Sequence, residues 1–375
     1  MNVIKSTMKN INKKTSWAVA FVCAALITLN GCGGSKDEGP KAIVVWNPFV
    51  ISTLANRDDV RVLFDSTKIP NEIIDSVVVA KASLEKPGGE AFACAVIETF
   101  YEVNKAIADP AKRNDTLIAI GEKFANVTLE DMEKVVKQTK FYGTPDEGLA
   151  VLTGAELPKT METVVGFCAS HGIVEKKPVL GYGDAAKAPD AAVRFDPSYI
   201  EKVKKGETGT APADVPSFSL AWSEYPSWSV FGVADVTGII NGKKGELGRV
   251  EKKWGVDIEL KEAEYDPCLA MYGSSGCDAV CITNMDILGP SLGRPGVMVL
   301  PTSTSFGADA CLVTSAVKSV EDLKGVKVYG LEKSVSEYCF VRNLELLGQA
   351  EKDYTFSNMD PGAAALAMQQ KSAVE

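Results

Sequence analysis

The chain has 375 residues, with 40 Lys+Arg against 49 Asp+Glu and 46% hydrophobic residues. That length accommodates two domains of ordinary size. An acidic chain without a Lys/Arg cluster is a poor partner for nucleic acid or anionic lipid surfaces, and its charge mildly favours a cationic ligand.

The first segment reads as a leader. Lys5, Lys9, Lys13 and Lys14 form a positive region, followed by a largely apolar run from Trp17 to Leu29. The run is short for a membrane span, which needs about 20 residues, and suits a secretory signal. Leu29-Asn30-Gly31-Cys32 resembles a bacterial lipobox, so residues 1–31 are expected to be removed and Cys32 lipidated. The alternative is an ordinary signal peptide with Cys32 as a bystander. Residues 32–40, rich in Gly, are expected to form a tether. Without the four leader lysines the formal charge becomes (40 − 4) − 49 = −13.

Beyond the tether, strand-like and helix-like runs alternate. KAIVVW and SVVVAKASLEK read as strands, followed by helices around Ala91–Ala108, Asp115–Phe124 and Leu129–Thr139. The stretch from Gly206 to Pro216, rich in Gly, Pro and Thr, reads as a linker. Then come a strand (SFSLAW), helices in VFGVADVTGIINGK and GELGRVEKKWG, a strand (DIELKEA), a helix (DPCLAMYGSS) and a strand (AVCITN). After a Gly/Pro-rich loop follow VMVLPT and ACLVT as strands, VEDLKG as a helix, VKVYG as a strand, and the helices SEYCFVRNLELLG and Gly362–Met368. The pattern predicts an α/β fold with parallel sheets covered on both faces, and ligands of such sheets bind at the carboxyl ends of the strands.

Cys94, Cys168, Cys268, Cys277, Cys281, Cys311 and Cys339 remain once Cys23 leaves with the leader and Cys32 is set aside for lipid. Most sit in apolar settings, where Cys acts as a small core hydrophobe, although export would permit disulfides. No CxxC pair occurs and the chain has a single histidine, so no metal site is expected. His171 reads as the last turn of a helix before Gly172, bonding the final carbonyls.

The segment SFGADACLVTSAVKSVEDLKGVKVYGLEKSVSEYCFVRNLELLG resembles the first lobe of type II periplasmic substrate-binding proteins of the nitrate/taurine/thiamine-precursor group. LAWSEYPSWSVFGVA, CDAVCITNMDILGP, VVWNPFV and RFDPSYI look closer to one subgroup, the urea or guanidine receptors of ABC transporters. The resemblance implies a two-lobed binding protein in circularly permuted order. In the family, the helix matching PGAAALAMQQKSAVE leads directly into the strand matching KAIVVWNPF, which crosses between lobes. Here those pieces stand at opposite ends of the sequence. The implied organisation is a second lobe over 41–142, a return segment over 143–203 packing on the first lobe, a linker over 204–216, and the first lobe over 217–375. One covalent crossover at the hinge would then be lost.

The resemblance places a ligand between the lobes. Trp222, Glu224, Tyr225 and Trp228 follow the first strand of the first lobe. Aromatic faces attract a planar cation by about 0.5–2 kcal/mol, and a carboxylate pairs bidentately with guanidinium. Trp222 and Trp228 read equally as core. Asn284 and Asp286 end a buried strand, and Asp286 either faces the ligand or caps the next turn. Ser336 and Glu337 open a helix, where an acid is also ordinary stabilisation. Trp46 and Asn47 match the family's hinge aromatic, and Thr302–Ser305 reads as polar lining. The expected function is an exported, lipid-anchored, monomeric receptor with no cofactor, delivering a guanidine-like cation or urea to an ABC permease and ATPase. Its only membrane contact would be the anchor. The alternative is a protein related to pyrimidine or thiamine-precursor synthesis, or a receptor of the same group with another ligand. The leader, the unremarkable histidine and the absence of a Gly-rich phosphate loop argue against an enzyme.

Overall fold

Short aliphatic runs bounded by Gly, Pro and Asp set the strands. The computed structural model describes residues 39–209 and 214–371. In chain order the strands are β1 (Ala42–Trp46), β2 (Val60–Asp65), β3 (Ile74–Ala80), β4 (Thr139–Phe141), β5 (Leu180–Tyr182), β6 (Val193–Phe195) and β7 (Ser217–Trp222). They continue as β8 (Asp257–Glu262), β9 (Ala279–Thr283), β10 (Gly296–Ser305), β11 (Asp309–Thr314), β12 (Lys327–Gly330) and β13 (Thr355–Asn358). The protein is mixed α/β, and its strands form two sheets. One has five strands in the order β13-β12-β1-β11-β2; the other has eight, β8-β7-β9-β3-β10-β6-β5, with β4 added beside β10.

The two orders share a pattern. Three parallel strands (β13-β12-β1 and β8-β7-β9) are followed by an antiparallel one, β11 or β3. A fifth strand, β2 or β10, pairs antiparallel with that one in turn. In each sheet the antiparallel strand arrives from the other sheet. The chain passes from β2 to β3 through residues 66–73, and from β10 to β11 through residues 306–308. The second passage is a sharp turn in which Gly307 adopts φ +98°, a region unfavourable to residues with a Cβ.

Three expectations are corrected here. The sheets are mixed, not parallel. The division at the 204–216 linker does not follow the sheets either, because residues 217–305 share their sheet with β3–β6, whereas β11–β13 share theirs with β1 and β2. Nor is β1 a crossover. It is the central strand of five, and its continuous apolar run reflects burial on both faces. Ala42, Val44 and Trp46 join the large core shared by both sheets, while Ile43 and Val45 join a smaller core under the helices Phe49–Asn56 and Pro361–Gln370. Both passages between the sheets are therefore intact in this chain order.

Several elements depart from their expected limits. The helix after Trp228 runs only from Ser229 to Val236, ending before Gly238 at φ +71°. GELG is loop, so the next helix is Arg249–Trp254, and VEDLKG gives one 3-10 turn. The residues SVVVA of SVVVAKASLEK complete β3 and the rest begins a helix. His171 caps the helix Glu156–Ser170 as expected, with Nδ1 2.9 Å from the Phe167 carbonyl. All seven cysteines from Cys94 to Cys339 are buried and free. Cys32 and the leader lie outside the described residues, as do residues 210–213 of the linker.

Polar ties join segments belonging to the two sheets. Glu72 accepts from Tyr338 Oη at 2.6 Å and Arg342 Nε at 3.0 Å. Asn47 Nδ2 donates to Gln138 Oε1 at 2.8 Å, and His171 Nε2 lies 3.2 Å from Glu351.

Candidate functional site

The strand register brings two acids to one place. Asp309 stands opposite Trp46, the last residue of β1, and Asp75 stands opposite Thr283, the last residue of β9. The repeated sheet pattern thus puts one aspartate from each antiparallel strand beside the carboxyl end of a parallel strand. Both aspartates line the same cavity between the sheets. The cavity is small, with a volume of about 10 Å³. That is room for about one water, or for a solute of a few heavy atoms if the walls give slightly.

Four aromatic rings form the walls. Tyr225 and Trp228 lie 4.8 Å apart between centroids, Trp228 stacks on Tyr265 at 5.6 Å and 16°, and Trp46 meets Tyr265 edge-on at 5.5 Å. Ile73, Thr283 and Val335 complete the lining, which contains no Lys, Arg or His.

The carboxyl groups lack cationic partners. Asp75 is 1% exposed; its pKa is raised well above the ordinary value by burial, against the opposing pull of the Ser303 hydroxyl, with the Asp309 charge adding to the rise. Burial likewise pushes Asp309 up to about 7, opposed by the Ser305 hydroxyl and reinforced by Asp286. The buried TSTS stretch supports the acids: Ser303 Oγ donates to Asp75 and lies 2.8 Å from Ser227 Oγ, and Ser227 and Thr302 hydroxyls meet at 2.9 Å. Two lining groups have no hydrogen-bond partner. The Tyr225 hydroxyl lies beside Asp75 and Thr139, and the Trp228 indole N–H is buried. Among the described residues no three His, Cys, Asp or Glu side chains converge as metal ligands would.

Of the residues singled out from sequence, Trp46, Tyr225 and Trp228 meet at this cavity. Asp286 sits behind it, accepting from Tyr265 Oη at 2.6 Å and Thr283 Oγ1 at 2.8 Å, and burial raises its pKa to about 6. Asn47 and Ser336 are buried nearby in sequence to Trp46 and Val335, each with an unpaired side-chain oxygen. The others fall elsewhere. Trp222 is core, packed against Gly232, because its position in β7 points it beneath the strand. Glu224 is half-buried outside the lining; burial raises its pKa to about 8, helped by Glu264, Asp360 and Glu262. Asn284 is fully used in joining β9 to β3, accepting from Ile74 N and donating to the Glu72 carbonyl. Glu337 accepts from the Lys333 backbone N–H at its own helix start.

Asp75, Tyr265 and Asp309 were not singled out from sequence. Each lies at or next to the start of a strand or helix, and for the two aspartates a lone acid just before a buried apolar run (IIDSVVVA, GADACLV) is the only local signal. No protein-family model matches the chain, and no curated protein is similar to it.

Proposed function

We propose that this protein is a receptor for a small nitrogen-rich solute, held between two α/β lobes and delivered to an ABC importer. The observation that carries the reading is the cavity itself: two buried aspartates, one from each sheet, among four aromatic rings with no basic side chain. An anion placed there would meet uncompensated acids, whereas unit charges of opposite sign about 4 Å apart attract by ~4 kcal/mol at an effective dielectric near 20. A planar cation such as guanidinium finds ring faces and acceptors together. The buried, unpaired N–H of Trp228 favours a second ligand, urea, whose carbonyl offers the acceptor that guanidinium lacks.

The same reading takes the chain as a circular permutant of a type II periplasmic binding protein. It is supported by the matching strand orders and by the packing of the helix Pro361–Gln370 on β1. Starting the order at β7 and running through that helix into β1 gives each lobe the same succession of strands. The test is calorimetry and thermal shift on the purified full chain with guanidinium, urea, acetamidine, taurine and nitrate. Stabilisation by guanidinium or urea, and none by the anions, is expected; preference for taurine or nitrate would overturn the reading.

A further inference from the structure

We propose that the cavity admits its cation in exchange for a proton, the Asp75–Asp309 pair giving up one hydrogen ion to solvent for each cation bound. The inference rests on the receptor reading above and adds how the site manages charge.

The geometry leaves few alternatives. Asp75 and Asp309 are both buried and line one small void, and the Asp309 charge disfavours ionisation of Asp75. The titratable groups facing Asp75 are Asp309, Asp286, Tyr225, Tyr142 and Cys281. Those facing Asp309 are Asp75, Asp286, Tyr225 and Cys339. Every one is an acid or a neutral group, so no fixed cation compensates an ionised aspartate. The pair therefore keeps protons in the ligand-free state, in line with the raised pKa of both groups. When a permanently charged guanidinium enters, one carboxyl O–H breaks heterolytically and its proton leaves to water. The carboxylate then accepts the ligand's N–H groups, and the charge of the filled site equals that of the empty one. A neutral ligand such as urea needs no such release, since a protonated aspartate can donate to its carbonyl.

The sign follows from linkage. A ligand that expels one proton binds about tenfold more tightly per unit rise in pH while the pair is protonated, and levels off once the pair has ionised. The experiment is titration calorimetry of the full chain with guanidinium chloride and with urea. It is run in buffers of low and high ionisation enthalpy, across about pH 5.5 to 8.5. The expected result is release of about one proton per guanidinium at the acid end, declining toward the alkaline end, with none for urea. Asp309→Asn should weaken guanidinium more than about thirtyfold while changing urea much less. Should that variant fail to fold, the pH slope of the parent protein decides alone. Guanidinium binding without proton release or pH slope overturns the exchange and leaves the receptor reading standing. No binding of guanidinium, acetamidine or urea at any pH overturns both.

Discussion

Burial without a cationic partner makes a carboxyl group hold its proton at pH values where it would be ionised in water. For Asp309 the folded pKa of about 7 stands above the ordinary 3.8. Between those values the unfolded group is ionised and the folded one is not, so folding takes up a proton and stability falls as pH rises through that window. The contribution is fully present below the unfolded value. Thermal-denaturation midpoints of the ligand-free protein should therefore decline across this range, and Asp309→Asn should flatten the decline; a midpoint that climbs would contradict the assigned burial. Glu251 shows the opposite use of a buried acid. Its two oxygens accept from the backbone N–H groups of Asn241, Gly248 and Ile258 at 2.6–2.7 Å. Glu251→Ala strands all three donors and should cost about 3–5 kcal/mol by thermal denaturation, with Glu251→Gln losing less. Sequence made the aromatic part of the site legible because Trp46, Tyr225 and Trp228 crowd beside strand ends. It concealed the acidic part, since Asp75 and Asp309 are remote in sequence and only strand register unites them.

At the scale of elements, the strands with the clearest apolar runs, β1, β7, β9 and β12, fall close to where the sequence places them. The short strands β4, β5 and β6 carry no comparable run and depend on β10, or on each other, for pairing. The partition into sheets was illegible because β10 and β11 look like one extended region interrupted by Phe306-Gly307, a break no larger than an ordinary turn. That turn carries one of the two passages between sheets, and Gly307 N donates to Ser66 Oγ in the other passage at 2.7 Å. Gly307→Val forces a branched side chain into a left-handed backbone region and should destabilise by about 1–3 kcal/mol. Unchanged denaturation would mean that the turn relaxes freely.

For the molecule as a whole, the proposed lipid anchor is tested apart from the fold. Cys32→Ser in the full chain should move the protein from the membrane fraction to the soluble one on cell fractionation. Undiminished membrane association would remove Cys32 as the anchor. The proposed lobes move about the two intact passages, so ligand binding should also shrink the radius of gyration measured in solution scattering.

The five-stranded sheet draws β1 and β2 from one end of the order and β11, β12 and β13 from the other. During synthesis, β1 emerges hundreds of residues before either strand that flanks it. A segment covered on both faces in the native fold must spend most of translation with its hydrogen-bonding edges unclaimed, a state prone to wrong pairing. The eight-stranded sheet can close once β10 has appeared, but it too needs β3, whose predecessor β2 is still waiting. Biogenesis is thus gated by the final fifth of the message (roughly, from β11 onward), and ribosome-bound chains stalled before β12 should need a holdase to stay soluble.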